Sequence, residues 1–262
     1  MKKLTLIFIS FIILLSCSSE KKENSSVKIG GNKCNDLAKM ELKGEVKTLR
    51  VIYYEAVDKF GEIRKGDKNN GNYILFNEKG NKTEENRYKS DGSLDSKCTF
   101  KYDEKGNKIE CNIYNSAGNL YSKLTYKYDE KGNEIEINSY NSSGNFDNKS
   151  IYKYDDRGNK IEDCEYNSEG SLDRKVTYKY DDKGNKIEYN IYNLDNSLYS
   201  KFTYKYDDKG NKIERNEYNL NGSLVSKSTF NKDYDTKGNC IKVTQFKNDI
   251  PKHIVESEIE YY

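Results

Sequence analysis

Two kinds of segment alternate along most of this chain: runs of about eight residues in which apolar and polar positions alternate, and short polar segments that contain Gly. In residues 120–128 one face of an extended strand carries Leu120, Leu124, Tyr126 and Tyr128, and the other carries Lys123, Thr125 and Lys127. Period-two alternation over a run of this length, bounded by Gly-containing turns, is typical of β-hairpins. The pattern therefore predicts an all-β fold.

The alternating pattern is a tandem repeat with a period of 26 residues. The motif Tyr-Asp-x-x-Gly-Asn begins at Tyr102, Tyr128, Tyr154, Tyr180 and Tyr206, and a degenerate copy begins at Phe76. A second turn follows Tyr114 and its equivalents, with Asn196 in place of Gly in one copy. Gly and Asn both tolerate the left-handed backbone that such turns need. Each repeat therefore predicts one hairpin, with two turns per unit.

The length of the first turn decides which residues face each other. A four-residue loop over residues 103–106 puts Tyr102 opposite Asn107 and Cys98 opposite Cys111. In that register one face of the sheet is aromatic and aliphatic, and the other carries Lys, Thr and Glu. A three-residue loop with a bulge would mix these faces, because a one-residue slip exchanges the two sides of a strand. We favour the four-residue loop.

The repeats predict tandem antiparallel β-hairpins that form one extended, twisted or curled meander sheet of about fourteen strands. Such a sheet has an apolar face to cover. Curling of the sheet on itself, dimerisation and a bound ligand all remain open as ways of covering it. The alternating residues 254–262 predict a closing edge strand.

The N-terminus has the features of an export signal. Two lysines precede residues 4–15, an apolar run too short to cross a bilayer as a helix, which fits the core of a secretory signal peptide. The following Leu14-Leu15-Ser16-Cys17 resembles the bacterial lipobox. That resemblance implies cleavage before Cys17 and attachment of acyl chains, palmitate among them, to this cysteine. Several chains would anchor the protein durably to a membrane.

The segment behind Cys17 is polar and charged, which is typical of a disordered tether. Ser18 resembles the outer-membrane sorting pattern of bacteria with two membranes. We expect a bacterial envelope protein, most simply on the outer membrane, with its periplasmic or surface orientation open. The expected domains are the signal peptide (1–16), lipidated tether (17–35), N-terminal capping strands (36–75), repeat array (76–245) and C-terminal capping strand (246–262).

Composition narrows the class of protein. The chain has 45 Lys and Arg against 43 Asp and Glu, so removal of Lys2 and Lys3 with the signal peptide leaves no net charge. Intermixed charges without a basic stripe argue against a nucleic-acid partner. The charged fraction of 34% would be compatible with disorder, but 24 Tyr in strict register are not.

The motif Tyr-x-Tyr-Asp-x-x-Gly-Asn resembles the YD repeat of the Rhs family over residues 76–245. The resemblance implies a curled β-sheet shell, which in large members encloses a C-terminal toxin. This chain differs in its short array, in its longer repeat unit and in having no toxin or self-cleavage segment after the repeats. We therefore do not transfer the toxin role.

Catalytic and metal-binding readings have little support. His253 is the single histidine, and one histidine offers neither a triad nor a metal cluster. A carboxylate recurs once per repeat beside lysines, which favours a solvated ladder over glycosidase chemistry. Its members are Glu110, Glu136, Glu162, Glu188 and Glu214. Turn formation explains the repeated Asp residues better than calcium binding does. We expect no enzyme activity, no metal and no cofactor.

Two sets of residues remain as candidate sites. Cys98 and Cys111 flank one turn, and an oxidising envelope would permit a disulfide between them. The candidate binding aromatics are Tyr88, Tyr114, Tyr140, Tyr166, Tyr192 and Tyr218. Regular aromatic rings stack on sugars or anchor a partner protein, and they also stabilise a sheet by cross-strand packing. We expect a non-enzymatic binding surface for a protein or a glycan, with a purely structural spacer as the alternative and a glycan hydrolase as a weaker one.

Overall fold

The computed structural model describes residues 35–262, so the predicted signal peptide, Cys17 and the tether up to residue 34 lie outside the described residues. A short helix, α1 (Asp36–Lys39), precedes sixteen strands. The first eight are β1 (Val46–Lys59), β2 (Glu62–Phe76), β3 (Lys82–Tyr88), β4 (Leu94–Tyr102), β5 (Lys108–Asn115), β6 (Leu120–Tyr128), β7 (Glu134–Asn141) and β8 (Phe146–Tyr154). The others are β9 (Lys160–Asn167), β10 (Leu172–Tyr180), β11 (Lys186–Tyr192), β12 (Leu198–Tyr206), β13 (Lys212–Tyr218), β14 (Leu224–Tyr234), β15 (Cys240–Lys247) and β16 (Ile250–Tyr261).

Each strand pairs antiparallel with its neighbours in sequence, which confirms the predicted all-β hairpin meander. The sheet is not an open one, however, because β1 also pairs with β16 and closes it into a barrel. Leu49 lies opposite Ile259, and Tyr53 lies opposite Val255. The expectation of an extended sheet with β16 as its edge strand is therefore wrong. Twist accumulates from strand to strand, and closure gives the last strand a partner for its hydrogen-bonding groups.

The predicted four-residue loop is also wrong. The amide of Asp103 donates to the carbonyl of Asn107, and the amide of Gly106 donates to the carbonyl of Asp103, which defines a three-residue loop. Gly106 has a φ of 78°, the left-handed conformation that closes this kind of hairpin. The strand then bulges, so Tyr102 lies opposite Lys108 rather than Asn107, and Ile109 has no residue opposite it on β4.

The bulge changes which residues lie on each face of the sheet. Cys98 lies opposite Ile113 instead of Cys111. Lys108 joins the inner face, while Ile109, which the pattern placed on the apolar face, is 42% exposed. The outer polar pairs become Lys101 with Glu110, Thr99 with Asn112 and Lys97 with Tyr114. The apolar and charged faces are therefore less separate than the sequence indicates.

The hydrophobic core is concentrated where the barrel closes. Its buried members come from α1 and from the first and last strands. They are Leu37, Val46, Leu49, Val51, Tyr53, Ile74, Phe76, Phe230, Cys240, Val243 and Val255. A smaller buried cluster contains Cys98, Cys111 and Ile113 on the inner face of β4 and β5. Apolar burial thus holds together the seam that joins the two ends of the chain.

Residues 35–45, here called the plug segment, cover one end of the barrel. The amide of Leu37 donates to the carbonyl of Gly80 beside β3, and the amide of Lys43 donates to the side chain of Asn239 beside β15. Asp36 accepts a hydrogen bond from the amide of Lys82 at 3.0 Å and faces Lys108 on β5. The plug segment therefore closes the end at which the Tyr-Asp turns lie.

Candidate functional site

The Tyr-Asp turns are held by their own side chains. In one of them Asp155 accepts hydrogen bonds from the amide of Asn159 at 2.8 Å and from its side-chain nitrogen at 2.9 Å. The same clamp joins Asp103 to Asn107, Asp129 to Asn133, Asp181 to Asn185 and Asp207 to Asn211. Within residues 35–262, no group of three or more potential ligands is arranged to hold a metal ion. The hydrogen bonds between each Asp and the Asn of its own turn indicate a role in turn formation.

The Tyr of each motif connects neighbouring repeats. The hydroxyl of Tyr154 donates to the carbonyl of Glu134 at 2.7 Å, which belongs to the strand one hairpin earlier. Equivalent bonds run from Tyr128 to Lys108, from Tyr180 to Lys160 and from Tyr206 to Lys186. The hydroxyl of Tyr102, which lies near the start of the array, instead donates to Asp36 of the plug segment. The repeated Tyr thus ties the Tyr-Asp end of the barrel together.

The repeated glutamates form a charged lattice on the outer face. Glu110 accepts from Lys101 at 2.7 Å, from Lys123 at 2.8 Å and from Asn112 at 2.8 Å. These hydrogen bonds lower the pKa of Glu110 to about 2. Glu162, Glu188 and Glu214 each pair with two lysines in the same way, and Glu136 pairs with Lys127. Four of the five carboxylates follow a lysine by two residues in the sequence. These lysines, which were expected beside the carboxylates, lie on the inner face: Lys108, Lys160, Lys186 and Lys212.

The six candidate tyrosines lie on the outer face at one level of the barrel, next to the second set of turns. We call them the aromatic belt (Tyr88, Tyr114, Tyr140, Tyr166, Tyr192 and Tyr218). Each ring is partly exposed and faces an aliphatic or aromatic side chain across the following strand pair. Those partners are Leu94, Leu120, Phe146, Leu172, Leu198 and Leu224. Five of the six also lie opposite a lysine of the preceding strand, as Tyr114 lies opposite Lys97.

The belt combines stacking surfaces with hydrogen-bonding groups. The Nζ of Lys149 lies 5.8 Å from the ring centre of Tyr166, and the rings of Tyr140 and Phe146 meet edge to face at 6.1 Å. An open groove of about 380 Å³ follows the outer surface beside Tyr114. Its lining is Leu94, Lys97, Thr99, Tyr114, Asn115 and Gly118. Successive belt tyrosines are two strands apart, which is about 10 Å across the sheet.

Cys98 and Cys111 are both 3% exposed, and both are free thiols in the structure. They lie diagonally on the inner face because Cys98 pairs with Ile113 and Cys111 pairs with Phe100. A hydrogen bond to Cys111, together with burial, raises the pKa of the Cys98 thiol. The disulfide between them stays a prediction. His253 lies on β16 opposite Gln245 and Glu55, away from the belt.

Sequence reasoning missed a group of basic side chains on the inner face. The residue after the Asn of each Tyr-Asp turn is usually a lysine, and the bulge turns it inward. Burial, with Lys160 nearby, lowers the pKa of Lys186 to about 8. Burial and the cations Lys232, Lys186 and Arg215 lower the pKa of Lys212 to about 8. Only the correct turn length would have shown these lysines as inward-facing.

No protein-family model matches the sequence, and no curated protein matches it. The chain is similar to several solved structures. A porin-like protein from Bacteroides uniformis is 13% identical, with a TM-score of 0.54, over 82% of this chain and 96% of that one. A porin-like protein from Bacteroides vulgatus is 11% identical, with a TM-score of 0.47, over 80% and 98%. The Photorhabdus luminescens Tc holotoxin pore is 12% identical, with a TM-score of 0.28, over 74% of this chain and 13% of that chain.

The first of these neighbours supports the closed β-barrel and nothing beyond the fold. None of the helices in the described part of the chain is long and apolar enough to cross a membrane.

Proposed function

We propose that this chain is a non-enzymatic binding protein of the bacterial envelope, and that its aromatic belt binds a linear polysaccharide. The observation that carries the proposal is the belt itself. Six tyrosines lie at one level of the outer face, each beside an apolar side chain, and five of them also lie opposite a lysine. Tyr rings that are apolar on their faces and polar at the hydroxyl suit sugar rings.

A polymer fits this surface better than a compact ligand. The belt offers the same group at every second strand, so a partner that also repeats gains a further contact at each step. Contacts that are weak one by one then add up through the high effective concentration of the next site. Thr99 and Asn115 beside Tyr114 supply polar groups within the same groove.

The position of the plug segment supports one orientation of the barrel relative to the membrane. The described chain begins at the Tyr-Asp end of the barrel, where residues 35–45 pack. A tether that leads to a lipidated Cys17 would therefore leave from that end. The aromatic belt lies beside the opposite turns and would face away from the membrane, toward envelope polymers.

Two other functions have weaker support. The repeated outer-face glutamates do not suit a glycosidase, which needs a carboxylic acid with a raised pKa, because hydrogen bonds lower the pKa of Glu110 and of Glu214 to about 2. A membrane pore needs strands with an apolar outer band, whereas here the Lys and Glu lattice occupies the outer face. Neither activity is part of the proposal.

A glycan array probed with the purified full chain tests the belt. We expect binding to one class of linear polysaccharide, and loss of about tenfold or more in affinity for a variant with Tyr114→Ala and Tyr166→Ala, because two ring contacts of about 1 kcal/mol each are lost. Phe60→Ala is the matched control, since Phe60 is a fully exposed aromatic at the β1–β2 turn, outside the belt.

Three outcomes would overturn the proposal. One is a folded chain that binds no glycan, and another is a belt variant that binds as well as the Phe60→Ala control. The third is release of sugar from a bound glycan that stops on Glu188→Gln, which would establish a hydrolase.

The anchor has its own test. Cells that express the wild-type chain should yield a mature N-terminus at Cys17 that carries acyl chains, measured by mass spectrometry. Cys17→Ala should abolish both processing and acylation. An unmodified Cys17 in the wild-type mature protein would contradict lipid anchoring while leaving the belt proposal untouched.

A further inference from the structure

The outer face of the repeat array has more lysines than glutamates. Each even-numbered strand from β4 to β12 contributes two outward lysines, and each odd-numbered strand from β5 to β13 contributes one outward glutamate. Glu188, for example, accepts from Lys179 at 2.8 Å and from Lys201 at 2.7 Å. One carboxylate balances only one of its two lysines, so this face has an excess of about one positive charge per repeat.

The acids that keep the whole chain nearly neutral lie elsewhere in the barrel. Each of the five repeated Tyr-Asp turns contains two acids and one base, as in Asp181-Asp182-Lys183. In the five turns beside the aromatic belt, between residues 115 and 222, the charged residues are Glu169 and Asp195. Charge is therefore separated along the barrel, with an acidic set of turns at one end and basic strands between the ends.

One lysine of each pair lies at the level of the aromatic belt. We call these the belt lysines (Lys97, Lys123, Lys149, Lys175 and Lys201). The side chains of Lys123 and Lys201 are 41% and 37% exposed, although each of them pairs with a glutamate of the outer lattice. An ammonium group has three N–H donors, so its bond to one glutamate is compatible with a further anionic partner on the solvent side.

Exposed carboxylates also occur on strands next to the belt. The residue after the apolar partner of the belt tyrosine is Asp95 on β4, Asp147 on β8 and Asp173 on β10. On β6 and β12 the same position is uncharged, since Tyr121 and Tyr199 occupy it. The belt lysines of β6 and β12 therefore have the more positive surroundings.

The belt presents a ring and a positive charge at a fixed interval. The interval is about 10 Å, because successive belt tyrosines are two strands apart. A pyranose ring in an extended polysaccharide advances the chain by about half of this distance. A polysaccharide that runs across the strands would thus bring every second sugar to a tyrosine and a lysine.

We propose that the polymer bound by the aromatic belt is an acidic polysaccharide with a carboxylate on at least every second sugar, and that the belt lysines pair with these carboxylates. This inference rests on the polysaccharide proposal and names the chemical class of its ligand. Complementary charge favours association and selects against neutral polymers. A single exposed ion pair contributes little, so the affinity depends on repetition of the contact along the belt.

Affinity measurements on the full chain with three linear polyuronates test the inference. The probes are hyaluronan, alginate and polygalacturonate, each beside its own carboxyl-reduced form, in which an alcohol replaces the carboxylate on the same sugar backbone. We expect at least one acidic polymer to bind about tenfold or more tightly than its reduced form, and its binding to weaken as salt is added.

Two belt lysines provide the variant. Lys123→Gln with Lys201→Gln should weaken binding of the acidic polymer about fivefold and leave binding of the reduced form unchanged, since only ion pairs are lost. Lys123→Arg with Lys201→Arg should keep the affinity. The matched control is Lys47→Gln with Lys65→Gln, because these exposed lysines also pair with glutamates, at 3.4 and 2.9 Å, but lie on β1 and β2, outside the belt.

The outcomes separate this inference from the proposal on which it rests. Binding of polysaccharide with no preference for the charged form of any pair would overturn the acidic class and leave the polysaccharide proposal standing. Absence of binding to every acidic and neutral polysaccharide would overturn both. Equal affinities of the two Lys→Gln double variants for the acidic polymer would overturn the role of the belt lysines. Equally tight binding of single-stranded DNA would overturn the sugar class, since it would show recognition of charge alone.

Discussion

The two ends of the barrel are built from turns of similar length but differ in what surrounds them. At the Tyr-Asp end, each turn has an Asp–Asn clamp, a Tyr hydroxyl bonds to the previous hairpin, and the plug segment packs across the opening. At the other end, the first Asn of the turn accepts hydrogen bonds from amides of its own turn, as in Asn115, Asn141, Asn167 and Asn219. Gly118, Gly144 and Gly170 have open space around them.

This difference shows that the two turns of one repeat have different structural roles. One turn contributes bonds between repeats and therefore determines how hairpins are joined. The other closes its own hairpin and leaves the neighbouring outer surface, with the aromatic belt, free for contacts with a partner. Substitutions at the two ends should therefore have unequal effects on folding.

The largest difference in stability between the two ends should come from a substitution in the plug segment. Burial alone raises the pKa of Asp36, but Lys108 and hydrogen bonds from Tyr102 and Lys82 lower it overall. Asp36→Ala removes the anion from this buried set, and we expect a loss of about 3 kcal/mol in the free energy of unfolding, measured by denaturant titration. Asp91→Ala, in an exposed turn where the carboxylate accepts hydrogen bonds from Ser93, is the control and should have a much smaller effect. Equal effects of the two substitutions would contradict the comparison.

Glycine substitutions should show the next largest difference in stability between the two ends. Gly80 and Gly118 both have positive φ, at 75° and 79°, so Ala at either position should cost about 1 kcal/mol. A Cβ at Gly80 would also collide with the side chain of Asn35 and touch Leu37 of the plug segment. We therefore expect Gly80→Ala to lower the thermal midpoint clearly further than Gly118→Ala. The reverse order would show that the plug segment does not pack there.

Removal of one Tyr hydroxyl at the Tyr-Asp end should have a smaller effect. Tyr154→Phe deletes the 2.7 Å bond to the carbonyl of Glu134 and should lower the free energy of unfolding by about 1 kcal/mol. Tyr140→Phe in the aromatic belt is the matched control, since its ring contacts Phe146 and that contact survives. It should be neutral, and a Tyr140→Phe change as large as that of Tyr154→Phe would refute the division of roles.

Lowering the pH should have the smallest effect per residue on the free energy of unfolding. Hydrogen bonds from lysines on the outer face lower the folded-state pKa of Glu110 and of Glu214 to about 2, below the ordinary value of 4.5. Their contribution is therefore complete above pH 4.5 and is lost as the pH falls toward 2. Glu214→Gln should flatten the pH dependence of unfolding over that window. Solvent screening keeps the change at one site below about 1 kcal/mol.

The strands and turns follow from local patterns, which is why the repeat and its hairpins could be predicted. The faces could not, because they depend on one residue of turn length. Ile109 continues the apolar alternation yet lies outside, and Lys108 lies inside, since the bulge adds one residue to the strand. The sequence signal for the bulge was Gly106 followed by Asn107. This pair is typical of a three-residue hairpin loop as well as of a four-residue loop.

Closure and the plug segment depend on contacts between distant parts of the chain. The pairing of Leu49 with Ile259 joins the two ends of the described chain, and no local pattern specifies it. The plug segment has neither helical nor strand periodicity beyond its single turn, α1. The aromatic belt could be found because Tyr114 and its equivalents recur in register. The inner cations, such as Lys186, could not be found without the bulge.

Hydrogen exchange of the full chain, followed by mass spectrometry or NMR, tests barrel closure most directly, because the plug and the ring of repeats both depend on it. Closure predicts that amides of β1 and β16, such as those of residues 49–53 and 255–259, exchange as slowly as those of the interior strand β9. An open sheet would leave one side of each terminal strand unbonded. Fast exchange along β16 with slow exchange along β9 would therefore contradict the closed barrel.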